Sequence, residues 1–534
     1  MTDRFAHAYL AQDARTTAFV PHRFDSAADR AQAVAKAAKR SVSPEVQAYL
    51  RTFNAQLPPS SARDTHIEAL GEPGTVCVVT GQQVGLYLGP LYTLYKAAAA
   101  VVNARALAAE TGHKTVPVFW LQTEDHDFAE VATTYVPQSG GEPLALTARG
   151  HADNRVSMAH RYFADDAKTL SDQLKDILGN LPHAEETVAR FAHYYRPGAG
   201  WVSAFSHLLA EIFAPHGLVF FDPRQAEVIN CCAPIHRHAI HHAASIADRL
   251  LERSAALDDA GFSAPVHVRS GAPLNFFHPD GPEHARYRLV PTADEWSIVG
   301  DPRRLSSSAL DAALEQNPSC FSTSALLRPL LQDSLLPTAA YVGGPGEIDY
   351  FAQLGPVYDA FDLPMPLLIP RARFAVVDAK TRRGLNELTL PLESFAQPEA
   401  DLLKRVAARP DHLTDPDALL ERMLSSLRTE LTQLAPQLAE LQSGLQKAAD
   451  RTVDAVERSC GKFVEKYRGA VNQADTQRAE VVRRLKGTLF PLDAPQERIL
   501  SLPYFAARHG MKPFVECVVD SCRPYHADLE ALEL

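Results

Sequence analysis

The sequence lacks the features that mark nucleic-acid-binding, secreted and membrane-spanning proteins. Acidic residues outnumber basic ones by 64 to 53, giving a net charge of −11, and no basic arm stands out, so we expect no nucleic-acid partner. The N-terminal stretch MTDRFAHAYLAQDARTTAF lacks the apolar segment of a signal peptide, and the most apolar helical run, LYKAAAAVVNARALAA, is too short and polar to cross a bilayer. The seven cysteines form no CxxC pair, which favours reduced thiols. These absences predict a cytoplasmic protein with no membrane partner.

The length of the chain, 534 residues, exceeds what one compact core holds, so we expect two or three domains. The apolar fraction of 46% and the charged fraction of 22% are ordinary for a folded protein. The patterns described below predict an α/β core over residues 1–385, a helical segment over 386–500, and a C-terminal segment, 501–534, that packs back on the core. Irregular insertions at about 136–205 and 225–320 are expected to cover one face of a site.

One stretch predicts a β–loop–α–β unit. A short apolar strand, TVCVVT (75–80), precedes a glycine-rich loop, and Pro90 then stands where the first turn of a helix accepts it. That helix is predicted to run to about Thr111 and to stop at Gly112, and TVPVFWLQ (115–122) forms the next buried strand. We expect the two strands to be parallel neighbours, so the loops at their carboxyl ends face one ligand crevice.

Three later apolar segments predict further strands of the same sheet. They are GLVFFDP (217–223), TAAYVGG (338–344) and MPLLIPRAR (365–373). The five segments together indicate an α/β fold built on a parallel sheet.

The loop VVTGQQVGLYLGPLYTLYK (78–96) is the first candidate binding segment. Glycines let backbone N–H groups approach an anion, and the following helix start adds its dipole. Tyr92 and Lys96 lie four residues apart on one helix face, from which Lys96 could reach a phosphate or carboxylate. The alternative is a tight strand–helix turn with structural glycines, since neither a P-loop nor a GxGxxG pattern is present. The candidate residues for binding a nucleotide or substrate anion are Thr80, Gly81, Gln82, Gln83, Gly85, Gly89, Tyr92 and Lys96.

An acidic loop follows the second strand directly. Glu124, Asp125, His126 and Asp127 place three carboxylates around a histidine at the end of a buried strand, an arrangement that is costly to bury without a purpose. These candidate catalytic residues could bind an amine or sugar hydroxyls, orient the histidine or hold Mg²⁺. The alternative is that Asp125 or Asp127 caps a helix N-terminus.

A second glycine turn, YVGGPGEIDYFAQL (341–354), follows the fourth predicted strand. It presents a carboxylate at a helix start, which fits recognition of a polar ligand, and IPRAR (369–373) adds arginines suited to carboxylates or phosphates. Glu347, Tyr350 and Gln353 fall at helical spacing just after the turn. The candidate substrate-binding residues are Arg328, Gly344, Glu347, Tyr350, Gln353 and Arg371.

The segment NCCAPIHRHAIHH (230–242) contains groups that could bind zinc, with His238 and His242 four residues apart and Cys231 and Cys232 nearby. The usual paired spacing of zinc ligands is missing, and histidines on a solvated helix are common. We therefore expect no zinc and assign no metal ligand.

A leucine seam dominates the helical segment. Eight leucines between Leu420 and Leu445 alternate spacings of four and three, and the pattern resumes near Val456 after a phase shift, which predicts two long helices in an antiparallel hairpin. Pro436 is expected to kink or break the first helix. The favoured interpretation is a coiled coil used for homodimerisation, and the alternative is a bundle packed on the core.

PQER (495–498) is predicted to dock the coiled coil, the alternative being a contribution to a ligand site between coiled coil and core.

Five blocks of the sequence, in order and over almost the whole chain, resemble the BshC family, the cysteine ligases of bacillithiol biosynthesis. The blocks are TGQQVGLYLGPLYTLYK, VPVFWLQTEDHDFAEV, LLRPLLQD with LPTAAYVGGPGEIDYFAQL, MPLLIPRAR and LFPLDAPQER. The resemblance implies a Rossmann-like core related to class I aminoacyl-tRNA synthetases, with connecting-peptide insertions and a dimerising coiled coil. It also implies a ligase that forms a carbon–nitrogen bond, joining L-cysteine to glucosaminyl malate to give bacillithiol.

The class I analogy suggests that ATP, with Mg²⁺ as a further candidate, forms cysteinyl-AMP before the glucosamine amine attacks. No synthetase HIGH or KMSKS motif is present, and TGQQVG occupies the topological place of the first. On this interpretation the glycine loop and Lys96 bind the nucleotide or a substrate anion, and the acidic loop holds the amine or acts as base. Arg328 and Arg371 are assigned to the malyl carboxylates and Glu347 to the cysteine ammonium. The alternatives are a similar ligase with another amino acid or amine acceptor, and a non-catalytic coiled-coil scaffold with a degenerate core.

Overall fold

The structure, a computed structural model, describes residues 4–138, 142–150, 155–292, 295–407, 414–442 and 444–534. Small parts of both predicted insertions and of the helical segment therefore lie outside the described residues. The chain divides into two units, the first comprising Met1–Val376 with Gln496–Leu532 and the second Val377–Pro495 with Glu533. The boundaries expected from the sequence, after residues 385 and 500, lie slightly further along the chain.

The first unit is built on a parallel sheet of five strands. The strands are β1 (Val76–Gln82), β2 (Thr115–Leu121), β3 (Val219–Phe221), β4 (Thr338–Gly343) and β5 (Leu367–Pro370). Their spatial order is β5-β4-β1-β2-β3, and every neighbouring pair is parallel. All five strands predicted from apolar runs are confirmed, because strands covered on both faces have no polar side to show in the sequence.

The helix after β1 covers one face of the sheet. It spans Tyr92–Thr111, and Gly112 ends it in the left-handed conformation with φ of 73°, which a glycine adopts without steric cost. Pro90 lies just before this helix rather than inside its first turn. The helix is buried over most of its length, which explains its alanine-rich composition.

The two insertions are not irregular. The first contains helices Asp166–Leu178, Ala184–Tyr194 and Trp201–Ile212. The second contains helices Ala226–His241, Ala243–Asp259 and Ser307–Gln316 and the antiparallel strands Asn275–Phe277, Tyr287–Pro291, Trp296–Ile298 and Arg304–Leu305, with Phe321–Thr323 on the other edge. The strands of this second sheet are only two to five residues long, too short to show a strand pattern in the sequence.

Helices flank these sheets and complete the first unit. The N-terminal ones span Phe5–Leu10, Ala27–Ala37, Pro44–Ala55 and Ser61–Leu70. Arg328–Leu335 precedes β4, and Pro345–Phe351 and Gly355–Ala360 follow it. Gln496–Ile499, Leu502–His509 and Met511–Ser521 lie near the C-terminus.

The second unit is a helical hairpin with two shorter helices, Ala379–Leu388 and Glu399–Ala407. Its long helices span Pro416–Leu441 and Leu445–Leu489 and run antiparallel. Ion pairs of 3.1 Å between Arg428 and Glu457 and of 2.7 Å between Arg468 and Asp417 join them. The first long helix continues through Pro436 without a break. The Rossmann-like parallel core and the antiparallel coiled coil predicted from the sequence are thus confirmed.

Candidate active site

The polar loops meet where the strand order reverses. Strands β1, β2 and β3 follow one another outward, whereas β4 lies on the other side of β1. In open parallel sheets, ligands bind beyond the carboxyl ends of the strands at this switch point. The glycine loop leaves β1 here and the second glycine turn leaves β4 beside it.

A buried ion pair joins the two helices that follow these loops, Tyr92–Thr111 and Pro345–Phe351. The Lys96 ammonium lies 2.5 Å from Glu347 Oε2, and it also donates to Gly81 O at 2.8 Å and to Gln82 Oε1 at 2.9 Å. A lysine ammonium has three N–H donors, so all three are used within the protein. Burial lowers the pKa of Lys96. The Glu347 carboxylate and the oxygens of Gly81 and Gln82 stabilise the positive charge of the ammonium.

Glu347 is held as a carboxylate by donors on both oxygens. The Tyr341 hydroxyl donates to Oε1 at 2.6 Å and the Gly344 N–H donates to Oε2 at 2.8 Å. Burial would raise the pKa of this carboxyl, but Lys96 and these donors outweigh it and hold the pKa below its usual value. Lys96 and Glu347 therefore form a preorganised charged pair at the switch point.

Arg328 is a buried cation near this pair without a carboxylate partner among the described residues. Its guanidinium donates to Gln332 Oε1 at 2.9 Å and to the Tyr350 hydroxyl at 3.0 Å, and it lies 5.1 Å from the ring centre of Tyr341. Its exposed fraction is only 7%. A buried guanidinium that contacts only neutral groups is suited to receiving a ligand carboxylate or phosphate.

The acidic loop is linked to the glycine loop by Gln83. The Gln83 amide donates to Asp125 Oδ2 at 2.6 Å and to Glu130 Oε2 at 2.8 Å. Asp125 Oδ1 accepts from the His126 N–H at 2.7 Å and from Arg286 at 3.0 Å. Burial raises the pKa of Asp125, but contact with His126, the charge of Arg286 and the Gln83 hydrogen bond outweigh burial and hold that pKa well below its usual value. Asp125 is thus a poor base and a strong orienting group.

The tautomer of His126 follows from the same contacts. Arg286 donates to His126 Nδ1 from Nε at 2.9 Å and from Nη2 at 2.7 Å. An arginine has no acceptor atom, so Nδ1 accepts and the proton of the neutral ring resides on Nε2. His126 can therefore donate a hydrogen bond from Nε2, whereas it cannot act as a base through that atom.

The remaining two acidic residues of the loop have different surroundings. Glu124 is buried and accepts from the Thr323 N–H at 3.2 Å and from the Thr323 hydroxyl, and burial raises its pKa. Asp127 is exposed and caps the helix Phe128–Val131 by accepting from the Glu130 N–H, which is the capping role that the sequence left as an alternative.

Arg371 forms a buried ion pair with Glu497, a residue that the sequence analysis did not assign to the site. Its guanidinium forms a bidentate pair with Glu497, both distances being 2.8 Å, and the two side chains are 3% and 1% exposed. The guanidinium also lies 5.3 Å from the ring centre of Tyr92. Glu497 lies in PQER, for which the sequence favoured docking of the coiled coil and left a contribution to a ligand site as the alternative.

Two predicted site residues point elsewhere. The Thr80 hydroxyl donates to Val342 O at 2.8 Å and so links β1 to β4. The Gln353 amide bonds the backbone of Val266 at 3.0 and 3.1 Å and lies beyond the end of its helix at Phe351.

Five members of the glycine-loop set line a small pocket of about 20 Å³. Gln82, Gln83, Gly85, Gly89 and Tyr92 all contribute to its lining. Gly81 does not, because it lies against β2, where an added Cβ would be 3.0 Å from Trp120 O.

Metal-binding geometry is not found over the described residues, where no three His, Cys, Asp or Glu side chains are grouped to hold an ion. His238 and His242 stack with ring centres 4.2 Å apart, and His238 Nε2 bonds Ala360 O at 2.9 Å.

None of the helices in the described part of the chain is long and apolar enough to cross a bilayer.

Two family models match the chain. The N-terminal Rossmann-like domain of BshC, of bacillithiol biosynthesis, matches residues 1–372, and the C-terminal coiled-coil domain of BshC matches residues 374–533. The matches together extend over both units of the structure.

Full-length relatives show the same similarity. Proteins of Solibacter usitatus, Salinibacter ruber and Koribacter versatilis are 34%, 32% and 31% identical to this chain. The alignments cover 89%, 92% and 97% of this chain and 88%, 89% and 95% of the relatives. Each relative bears the name "Putative cysteine ligase BshC".

Proposed function

The chain belongs to the BshC family, and we propose that it is a cysteine ligase of bacillithiol biosynthesis that joins L-cysteine to glucosaminyl malate. The bond formed is an amide between the cysteine carboxyl group and the glucosamine amine. The observation that carries this proposal is the junction of three loops at the switch point, through the Lys96–Glu347 contact of 2.5 Å and the Gln83–Asp125 contact of 2.6 Å. These contacts bring charged and hydrogen-bonding groups from β1, β2 and β4 to one crevice.

Activation of the cysteine carboxylate by ATP is part of the proposal. A carboxylate oxygen attacks the α-phosphorus, pyrophosphate leaves, and cysteinyl-AMP forms. The neutral amine then attacks the carbonyl carbon, AMP leaves with the bridging oxygen, and the nitrogen loses a proton to water. Mg²⁺ accompanies ATP in this scheme rather than belonging to the protein.

The side chains have distinct proposed roles in these steps. Arg328, a buried cation without a carboxylate partner in the described part of the chain, binds a substrate carboxylate or phosphate. His126 donates from Nε2 to an oxygen that gains negative charge, and Arg286 with Asp125 holds it in that orientation. The pairing of Lys96 with Glu347 makes these two residues a positioning unit for both loops rather than separate ligands of an anion and an ammonium.

A product assay tests the proposed reaction. Purified protein is incubated with L-cysteine and glucosaminyl malate, with and without Mg-ATP, and the products are identified by mass spectrometry. We expect bacillithiol only in the presence of ATP, with AMP formed in equal amount. An absence of bacillithiol in both reactions, from protein that is folded by circular dichroism, would contradict the proposed function.

A further inference from the structure

The pocket beneath the glycine loop has the wrong chemistry for a phosphate. Among the described residues that line it, only Glu130 is charged. Lys96 is not part of the lining, and its three donors are already used by Glu347, Gly81 and Gln82. Among the lining residues, an anion placed here would meet a carboxylate and no cation.

The glycines of this pocket do not form an anion cradle. The Gly85 N–H donates to Gln83 O at 3.0 Å and the Gly89 N–H donates to Leu86 O at 2.9 Å. A Cβ added to Gly85 would lie 3.0 Å from Gly89 Cα, and Gly89 has φ of 67°. The glycines therefore allow the turn to close on itself, and their N–H groups are consumed within it.

The pocket instead presents hydrogen-bond acceptors. Glu130 contributes a carboxylate, and Gln83 contributes its amide oxygen because its amide N–H groups are used by Asp125 and Glu130. The Thr93 hydroxyl also lines the pocket, is 1% exposed and has no hydrogen-bond partner within the described structure. A buried polar atom without a partner costs free energy that a bound ligand can recover.

We propose that this glycine-loop pocket, whose volume of about 20 Å³ admits one ammonium-sized group, is a subsite for the ammonium group of an amino sugar, with Glu130 and Thr93 as its recognition residues. An ammonium has three N–H donors and complements a lining that includes one carboxylate, one amide oxygen and one unpartnered hydroxyl. The inference rests on the proposed function for the identity of the amino sugar as the amine acceptor. Through Gln83, the subsite adjoins Asp125 of the acidic loop.

Binding of D-glucosamine to the full-length protein tests this subsite. Titrations followed by saturation-transfer NMR use D-glucosamine at a pH where it is protonated, and N-acetyl-D-glucosamine and inorganic phosphate as comparison probes. We expect D-glucosamine to bind at least about tenfold more tightly than N-acetyl-D-glucosamine, since acetylation removes the charge that Glu130 meets. Phosphate is expected not to compete.

Two isosteric variants identify the residues responsible. Glu130→Gln keeps an acceptor for Gln83 and removes the charge, and it is expected to weaken D-glucosamine binding about tenfold. Thr93→Val removes only the hydroxyl and is expected to weaken binding severalfold. Glu185→Gln, an exposed glutamate on a helix of the first insertion, is the matched control and leaves binding unchanged.

The outcomes separate the subsite from the ligase activity. No saturable binding of D-glucosamine, equal binding by wild type and Glu130→Gln, or competition by phosphate would overturn the subsite. If bacillithiol forms but Glu130→Gln leaves the KM for glucosaminyl malate unchanged, the subsite is wrong and the ligase function stands. If Glu130-dependent D-glucosamine binding occurs without bacillithiol formation, the subsite stands and the ligase function fails.

Discussion

Replacing Lys96 with methionine is expected to lower the free energy of unfolding by about 3–5 kcal/mol, because removing one member of a buried ion pair leaves the other charge unpaired. Lys96 and Glu347 are 5% and 15% exposed and lie 2.5 Å apart. Urea unfolding followed by tryptophan fluorescence measures this loss in the first unit, since all three tryptophans lie there. Ligase activity is expected to fall about 100-fold or more, because the loops of β1 and β4 lose their common anchor.

The exposed pair Lys114–Glu72 provides a matched control, since its atoms are also 2.5 Å apart but the side chains are 59% and 53% exposed. Lys114→Met should change stability little, because solvent screens such pairs. The double variant Lys96→Met with Glu347→Gln should recover part of the loss, since no charge is then left buried alone. Equal effects of Lys96→Met and Lys114→Met would contradict the importance of the switch-point pair.

Removal of Arg286 is expected to reverse the tautomer of His126 and to lower kcat about 100-fold. In the variant Arg286→Met nothing donates to His126 Nδ1, and Asp125 Oδ1, 3.5 Å from Nδ1, becomes the favoured acceptor for a proton there. His126 Nε2 then loses its proton and its ability to donate to the substrate. Nitrogen-15 NMR of labelled histidine distinguishes the two tautomers by which ring nitrogen carries hydrogen.

The signal of His126 is assigned by its loss in His126→Gln. Arg286→Lys is the conservative comparison, because a lysine can donate to only one of the two partners at the original geometry. We expect Arg286→Lys to retain only part of the wild-type kcat. An unchanged tautomer with reduced activity in Arg286→Met would mean that Arg286 acts by packing, which its position 4.2 Å from the Phe276 ring centre also permits.

The sequence predicted those parts of the fold that depend on residues close together in the chain. Each strand of the parallel sheet is a continuous apolar run between turn residues, so β1 to β5 could be placed before the structure was known. The loops after β1, β2 and β4 could also be assigned to one edge, because parallel strands present their carboxyl ends together. The direct contacts of Gln83 with Asp125 and of Lys96 with Glu347 agree with that expectation.

The sequence failed where a site residue comes from a distant segment without a pattern. Arg286 lies 161 residues from Asp125, and Glu497 lies 126 residues from Arg371. No motif lies near Arg286, and the PQER block that contains Glu497 gives no indication that Arg371 is its partner, so only the folded backbone reveals these pairs. Gln353 illustrates the opposite error, because helical spacing placed it beside Glu347 although the helix ends at Phe351.

Transfer of oxygen from cysteine to AMP tests the central claim, adenylation of the cysteine carboxylate, most directly. L-cysteine labelled with ¹⁸O in its carboxylate is incubated with glucosaminyl malate, Mg-ATP and the purified protein, and the nucleotide products are examined by mass spectrometry. The account predicts one ¹⁸O atom in AMP for each bacillithiol formed, because the oxygen that attacks the α-phosphorus leaves with AMP. Label in inorganic phosphate with formation of ADP, or bacillithiol without labelled nucleotide or phosphate, would contradict it.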